Sequence, residues 1–193
     1  MNTSFAELTQ NLPHRPILDK ALSYFDDLPK IAIDCGCGAG NESAFLIEQN
    51  FIVHAFDPSV QARDICLQKF AEHDNFIFAL DRFESYEFPR ASLIIALFSL
   101  FFCAPHRVDY VLEKISNALF PEGIFLLQVL GKDDTWVVQE STQFASFERT
   151  QLEQKFSKEF EILWMDELKG YKPLANGTLK FWHFYTLILK KKK

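Results

Sequence analysis

Only four cysteines occur in 193 residues, at positions 35, 37, 66 and 103, and none of their spacings is that of a zinc site. Cys35 and Cys37 alternate with glycines, so all four read as free thiols rather than as metal ligands or disulfide partners. Basic charge is also scarce. The 20 Lys and Arg face 26 Asp and Glu, and a net charge of −6 argues against a broad nucleic-acid-binding surface. No apolar run reaches the ~20 residues of a membrane-spanning helix; the longest, Leu93 to Ala104, stops well short. The N-terminus, MNTSFAELTQ, lacks a basic stretch followed by an apolar one, so no secretory signal is read and a soluble, cytoplasmic protein is expected. Repeats, low-complexity tracts and interdomain linkers are missing too, which leaves a single domain over residues 1–193. Apolar residues are plentiful, at 48% with 21 Phe, so the core is not limited by composition.

The most informative segment is KIAIDCGCGAGNES, Lys30 to Ser43. A short β-branched run leads into Asp34, then Gly36, Gly38 and Gly40 with Cys37 between them, then Asn41 as a helix N-cap. Glycines there let the chain turn sharply after a strand and let a ligand lie against the main chain. The helix that follows offers free N–H groups to an anion. A second acid, Asp57, with Pro58 beside it, closes the next apolar run 23 positions after Asp34. That is near the roughly 20 positions over which a βαβ unit delivers a carboxylate to a ribose. These residues predict a nucleoside-binding strand–loop–helix–strand unit. The third glycine comes two positions after the second, so GxGxxG is not met and Asn41 stands where its last glycine belongs. A nicotinamide oxidoreductase is thereby disfavoured.

Elsewhere strand and helix alternate. Helices are predicted over Arg15 to Phe25, Asn41 to Gln49, Ser59 to Phe70 and residues 106 to 119, and after Thr150, which with Glu153 matches a capping box. Strands are predicted over Ile31 to Asp34, 51 to 56, Asn75 to Leu80, Leu93 to Phe98, Ile124 to Leu130, Phe160 to Met165 and Phe181 to Leu189. Repeated βα units imply a mainly parallel sheet with helices on both faces. The last two strands, joined by the polar stretch Asp166 to Thr178, suggest an antiparallel hairpin at one edge.

The pattern Asp34-x-Gly36-x-Gly38-x-Gly40, with Asp57 in register, resembles the first two motifs of the class I S-adenosylmethionine-dependent methyltransferases. Further blocks, Arg82-Phe83-Glu84, ALFSLFFCAP, ALFPEGIF, GKDDTW and KFWHFYTLILKK, are similar to small bacterial methyltransferases related to the tellurite-resistance methyltransferases. The relatives often carry Pro at Phe101 and Gly at Glu122, departures that bear on the pocket mouth rather than on the cofactor. The resemblance implies a Rossmann-like α/β fold, with seven strands, the last antiparallel, and an N-terminal helical segment, residues 1–29, over the site of a core spanning 30–193.

It also implies roles. S-adenosylmethionine would be the cofactor and S-adenosylhomocysteine the product. Asp34 would orient the cofactor's amino group, the backbone around Gly36 to Gly40 and Ala96 would hold its amino-acid end, and Asp57 would take the ribose hydroxyls. Asp81, Arg82 and Phe83 stand where the adenine is contacted, although a salt bridge and a core Phe fit the last two equally. Arg15 is compatible with closing over the cofactor carboxylate and with a surface cation. The acceptor side would be Phe98, Phe101, Phe102, Trp136 and Trp182, with His183 as the candidate base; a Phe core and a structural histidine are the alternatives. No catalytic triad is present, and none is needed for transfer from an activated sulfonium. Without an Asn/Asp-Pro-Pro-aromatic motif after the fourth strand, a small-molecule acceptor is expected, with a non-catalytic cofactor-binding module as the alternative.

Overall fold

The computed structural model describes residues 4–140 and 142–193; the first three residues of the N-terminal reading, and part of the 1–29 segment, lie outside it. Among these described residues eight strands form one sheet: β1 (Ile31–Cys35), β2 (Ile52–Phe56), β3 (Phe76–Ala79), β4 (Ala91–Ala96), β5 (Leu119–Gly131), β6 (Ser146–Phe147), β7 (Phe160–Pro173) and β8 (Leu179–Lys191). Their order is β3-β2-β1-β4-β5-β8-β7, with the two-residue β6 paired to β5. Strands β1 to β6 pair in parallel, whereas β8 runs antiparallel between β5 and β7. The expected mostly parallel sheet with an antiparallel last strand is therefore what forms. The polar stretch 166–178 mostly prolongs the hairpin, because β7 is an edge strand whose outer groups meet water and accept charged side chains.

Among the described residues seven α-helices accompany the sheet: α1 (Phe5–Thr9), α2 (Ile17–Leu22), α3 (Asn41–Glu48), α4 (Val60–Lys69), α5 (Val108–Ala118), α6 (Thr135–Gln139) and α7 (Arg149–Ser157). Leu18 and Ala21 of α2, Leu46 and Ile47 of α3 and Cys66 of α4 cover one face together with Val53, Leu93 and Ile95. Val111 and Ile115 of α5 and Leu152 and Phe156 of α7 cover the other with Ile33, Ile94 and Leu187. No helix joins β3 to β4. Phe83, Tyr86 and Phe88 from that connection instead pack their rings around Phe56, with centroids 5.1, 4.2 and 5.8 Å away.

Two helix starts differ from expectation. Gly40, at φ +69°, is the N-cap of α3, because its left-handed conformation aims the chain into the helix. Asn41 instead donates to the Thr9 carbonyl at 2.9 Å and accepts from Lys69 Nζ at 2.9 Å, tying α1 to α3 and α4. The α7 box is formed by Glu148 and Gln151, not by Thr150 and Glu153, one turn being entered two residues earlier. Of the described elements, α1 falls within the expected N-terminal helical segment without having been located there, and α6 and β6 have no counterpart in the sequence reading; each is too short to show periodicity.

Candidate cofactor and acceptor site

The glycine loop leaves the carboxyl end of β1. Gly36 and Cys37 N–H donate to the Phe56 carbonyl at 2.8 and 3.1 Å, which locks the loop onto the end of β2. Gly36 has φ +68°, and a Cβ there would lie 2.5 Å from Ser99 Cβ, so that residue is glycine for packing. At Gly38, φ +54°, a Cβ would meet nothing within 4 Å, so the backbone faces open space. Asp57, at the end of β2, accepts from Gly38 N–H at 3.0 Å and from Ser59 N–H at 2.8 Å. The two motif elements seen in sequence thus meet directly. Burial raises the Asp57 carboxyl above its ordinary range, against the pull of those two N–H groups.

Asp34 is 4% exposed and accepts from Ser43 Oγ at 2.7 Å. Burial first, and the charge of Glu42 second, push its carboxyl up to about 7. Glu42, itself buried, takes Arg15 through the backbone N–H at 3.2 Å and the guanidinium at 2.6 Å. Arg15 also lies 5.2 Å from the centroid of Phe98. Three carboxyls, Asp34, Glu42 and Asp57, surround the loop, with the cations Arg15 on Glu42 and Lys69 on the Ala39 carbonyl at 2.7 Å; the buried Asp34 suits a ligand that brings positive charge. The cysteines are all free and buried. The Cys37 thiol is held well above its ordinary range by its contact with Cys66 and by burial, which removes it as a nucleophile.

Ala96 is wholly buried at the end of β4. Beyond β3, Phe83 is 6% exposed and packs edge-on to Phe56. Asp81 accepts from Arg82 N–H at 2.8 Å and from the Ser85 hydroxyl, fixing the turn, while the Arg82 side chain is exposed. Pro58 sits between Asp57 and the Ser59 cap of α4.

The five aromatic residues expected on the acceptor side lie in one cluster. Phe98, at φ +53°, is an uncommon conformation for a bulky residue. It turns its ring edge-on to Trp182 at 5.4 Å. Trp182 meets Trp136 at 5.5 Å, and Trp136 meets both Phe101 and Phe102 at 6.0 Å. Phe144, absent from the sequence reading, stacks on Trp136 at 5.4 Å. Phe101 and Trp182 are buried, whereas Phe102 is 63% exposed.

His183 does not join them. Successive residues of β8 face opposite sides, so Trp182 and Phe184 enter the aromatic cluster and His183 and Tyr185 turn the other way. The His183 ring is 3% exposed and lies flat on Gly131, where a Cβ would be 2.2 Å from Nε2. Its Nδ1 accepts from Asp133 N–H at 3.0 Å and Nε2 meets Glu167 Oε1 at 3.0 Å. Both nitrogens being occupied, its assignment as a base is corrected to a structural role. Sequence reasoning also missed Ser99, Glu42, Asp134 and Lys180. Asp134 carried a signal, since Asp-Thr before an apolar turn reads as a helix cap; the Glu42 and Ser99 partnerships carried none.

Residues 32–123 match the model of a family described as a methyltransferase domain. No curated protein matches the chain. Among solved structures, TehB from Haemophilus influenzae superposes with a TM-score of 0.76 at 20% identity, covering 97% of this chain, which spans 65% of the TehB chain. The 1,6-didemethyltoxoflavin-N1-methyltransferase of Burkholderia thailandensis, solved with its namesake compound and S-adenosylhomocysteine, gives 0.67 at 16% identity, over 98% of this chain and 79% of that one. The N-methyltransferase NodS of Bradyrhizobium japonicum, also with S-adenosylhomocysteine, gives 0.68 at 10%, over 91% and 85%. Residues 32–123 thus resemble a methyltransferase domain, and the chain as a whole has the fold of these solved methyltransferases.

Proposed function

We propose that the protein transfers the methyl group of S-adenosylmethionine to a small-molecule acceptor by in-line displacement. The observation that carries this reading is the junction of Gly38 and Asp57: an open glycine backbone against which a nucleoside can lie, beside a carboxylate placed to take its ribose hydroxyls. The cofactor supplies an already activated methyl group. What remains for the chain is to bind, orient and exclude water. Asp34 and Glu42 suit the cofactor's positive end, the Gly36 to Gly40 backbone its amino-acid portion, and Arg15 its carboxylate. The cluster from Phe98 to Trp136 and Phe144 forms the wall along which an acceptor would lie. Its aromatic lining, the net charge of −6 and the small acceptor named for the Burkholderia relative support a small, planar, largely apolar acceptor rather than nucleic acid. Among the described residues no helix is long and apolar enough to cross a membrane; we read the protein as cytoplasmic.

Calorimetric titration tests the assignment. S-adenosylmethionine and S-adenosylhomocysteine should bind, and NAD should bind far more weakly or not at all. Tight NAD binding without a response to either sulfur ligand overturns it.

The titration should also depend on pH. Free Asp34 ionises only near pH 7, and a cation arriving beside it lowers that value, so binding releases a proton wherever the free carboxyl is still protonated. Affinity for S-adenosylhomocysteine should therefore rise from pH 5.5 towards 7, by at most about tenfold per unit, and flatten above. The same linkage acts on folding with the opposite sign. Because the folded carboxyl holds its proton above the unfolded value, the Asp34 contribution to stability falls as pH climbs to about 7. A flat affinity profile, with no proton release between pH 5.5 and 7, would show that Asp34 does not face the ligand's charge.

A further inference from the structure

Asp134 and Lys180 form an ion pair buried beside the aromatic cluster. Asp134 is fully buried and Lys180 is 4% exposed. The ammonium lies 2.5 Å from each carboxylate oxygen. The same carboxylate accepts from Trp136 N–H at 3.0 Å, capping α6, and from His183 N–H at 3.1 Å, on β8 next to Trp182. The ammonium in turn stands 3.6 Å from the Trp182 centroid and 4.5 Å from that of Trp136. Trp136 is thus gripped twice, through its backbone by Asp134 and through its ring by Lys180, while Trp182 is held at its ring by Lys180 and through the N–H of its neighbour His183 by Asp134.

Stability alone does not account for the pair. Two charges taken out of water lose hydration that their attraction scarcely restores, and well-packed apolar residues often serve as well or better. Nor does α6 hold itself, since five residues make little more than one turn. Its place on β8 depends on Asp134 and on Thr135, whose hydroxyl donates to the Phe181 carbonyl at 3.1 Å. What a buried ion pair adds over an apolar contact is a single defined geometry.

We propose that the Asp134–Lys180 pair is the positioning element of the acceptor wall, fixing the mutual orientation of Trp136 and Trp182 and so the shape offered to a planar acceptor. This rests on the reading of the cluster as that wall. Both residues act through the tryptophans and neither touches the transferred methyl group.

The test compares the wild-type chain with Lys180→Met, Asp134→Asn and the double variant, in which no unpaired buried charge remains to unfold the protein. Two indoles 5.5 Å apart and inclined at 61° should give an exciton couplet in the circular dichroism spectrum. The third tryptophan, Trp164, lies opposite Ile188 further along the β7–β8 hairpin, outside the aromatic cluster, and serves as an internal control. In the double variant the couplet should fall by at least half and acrylamide should quench tryptophan emission more strongly. Affinity for S-adenosylhomocysteine should stay within about twofold, whereas 2-naphthol, used as a planar probe in the presence of S-adenosylhomocysteine, should bind at least fivefold more weakly. A folded double variant with an unchanged couplet and unchanged naphthol affinity overturns the positioning role. A wild-type protein that binds S-adenosylhomocysteine but not 2-naphthol overturns the wall on which the role depends. A wild-type protein that binds neither overturns the methyltransferase reading itself.

Discussion

Gly38→Ala should cost at least tenfold in affinity for S-adenosylhomocysteine while leaving the protein folded, and Gly36→Ala should do the reverse damage first, lowering the unfolding temperature by roughly 5 to 15 °C. The contrast follows from what each added methyl meets. At Gly36 it falls 2.5 Å from Ser99 Cβ, an atom fixed by the backbone and held further by the Ser99 hydroxyl, which donates to the Cys35 carbonyl at 2.6 Å. Relief requires β4 and the loop to part. Overpacking of that kind costs about 1 to 3 kcal/mol, and the left-handed backbone adds about 1 to 2 kcal/mol. For a chain of this size each kcal/mol moves the midpoint by about 2 to 4 °C. At Gly38 only the backbone contribution applies to the free protein, because nothing lies within 4 Å of the new methyl. The methyl would instead occupy space that a ligand lying on the main chain needs. Scanning calorimetry and titration of both variants decide the matter. Gly38→Ala with wild-type affinity would mean that the ligand does not rest on the loop, and Gly36→Ala with wild-type stability would mean that Ser99 yields easily.

How much of this was legible in the sequence depends on how local each relation is. The glycine loop and Asp57 could be placed because a strand, a turn and a helix start each leave a short signature, and their spacing is set by one βαβ unit. Longer relations left no trace. Arg15 and Glu42 are 27 positions apart, and Asp134 and Lys180 are 46 apart; each pair is brought together only when α2 settles on α3 or when β8 inserts beside β5. His183 shows a different failure. Its neighbour Trp182 belongs to the aromatic cluster, and sequence adjacency invites treating the two together, although adjacent residues of a strand face opposite ways. Once β8 is seen as a strand buried on both faces, a histidine inside it has to satisfy both nitrogens locally, and Asp133 and Glu167 do so. Asn41 was misread for a related reason: it has the chemistry of a cap, but Gly40 already supplies the conformation, which leaves the Asn41 amide free to join Thr9 and Lys69.

Asp57→Ala should weaken S-adenosylhomocysteine binding about a hundredfold and Asp57→Asn about tenfold. Two charge-assisted hydrogen bonds to a ribose would be worth roughly 1.5 to 3 kcal/mol each at most, less whatever water recovers. The variants also release Gly38 N–H and Ser59 N–H from their acceptor, so a loss of affinity alone does not distinguish a carboxylate that holds the ligand from one that only shapes the loop. A double-mutant cycle with the ligand as second partner does. If Asp57 takes the ribose hydroxyls, the 2′-deoxy analogue of S-adenosylhomocysteine should bind the wild-type protein at least fivefold more weakly than the parent ligand, yet bind Asp57→Ala almost as well as the parent does. Equal losses on both proteins would leave Asp57 as a loop residue only. Because the carboxylate sits at the end of β2 and not inside the sheet, both variants should stay folded, with the Ser59 hydroxyl still capping α4 through Ala62 N–H at 3.2 Å.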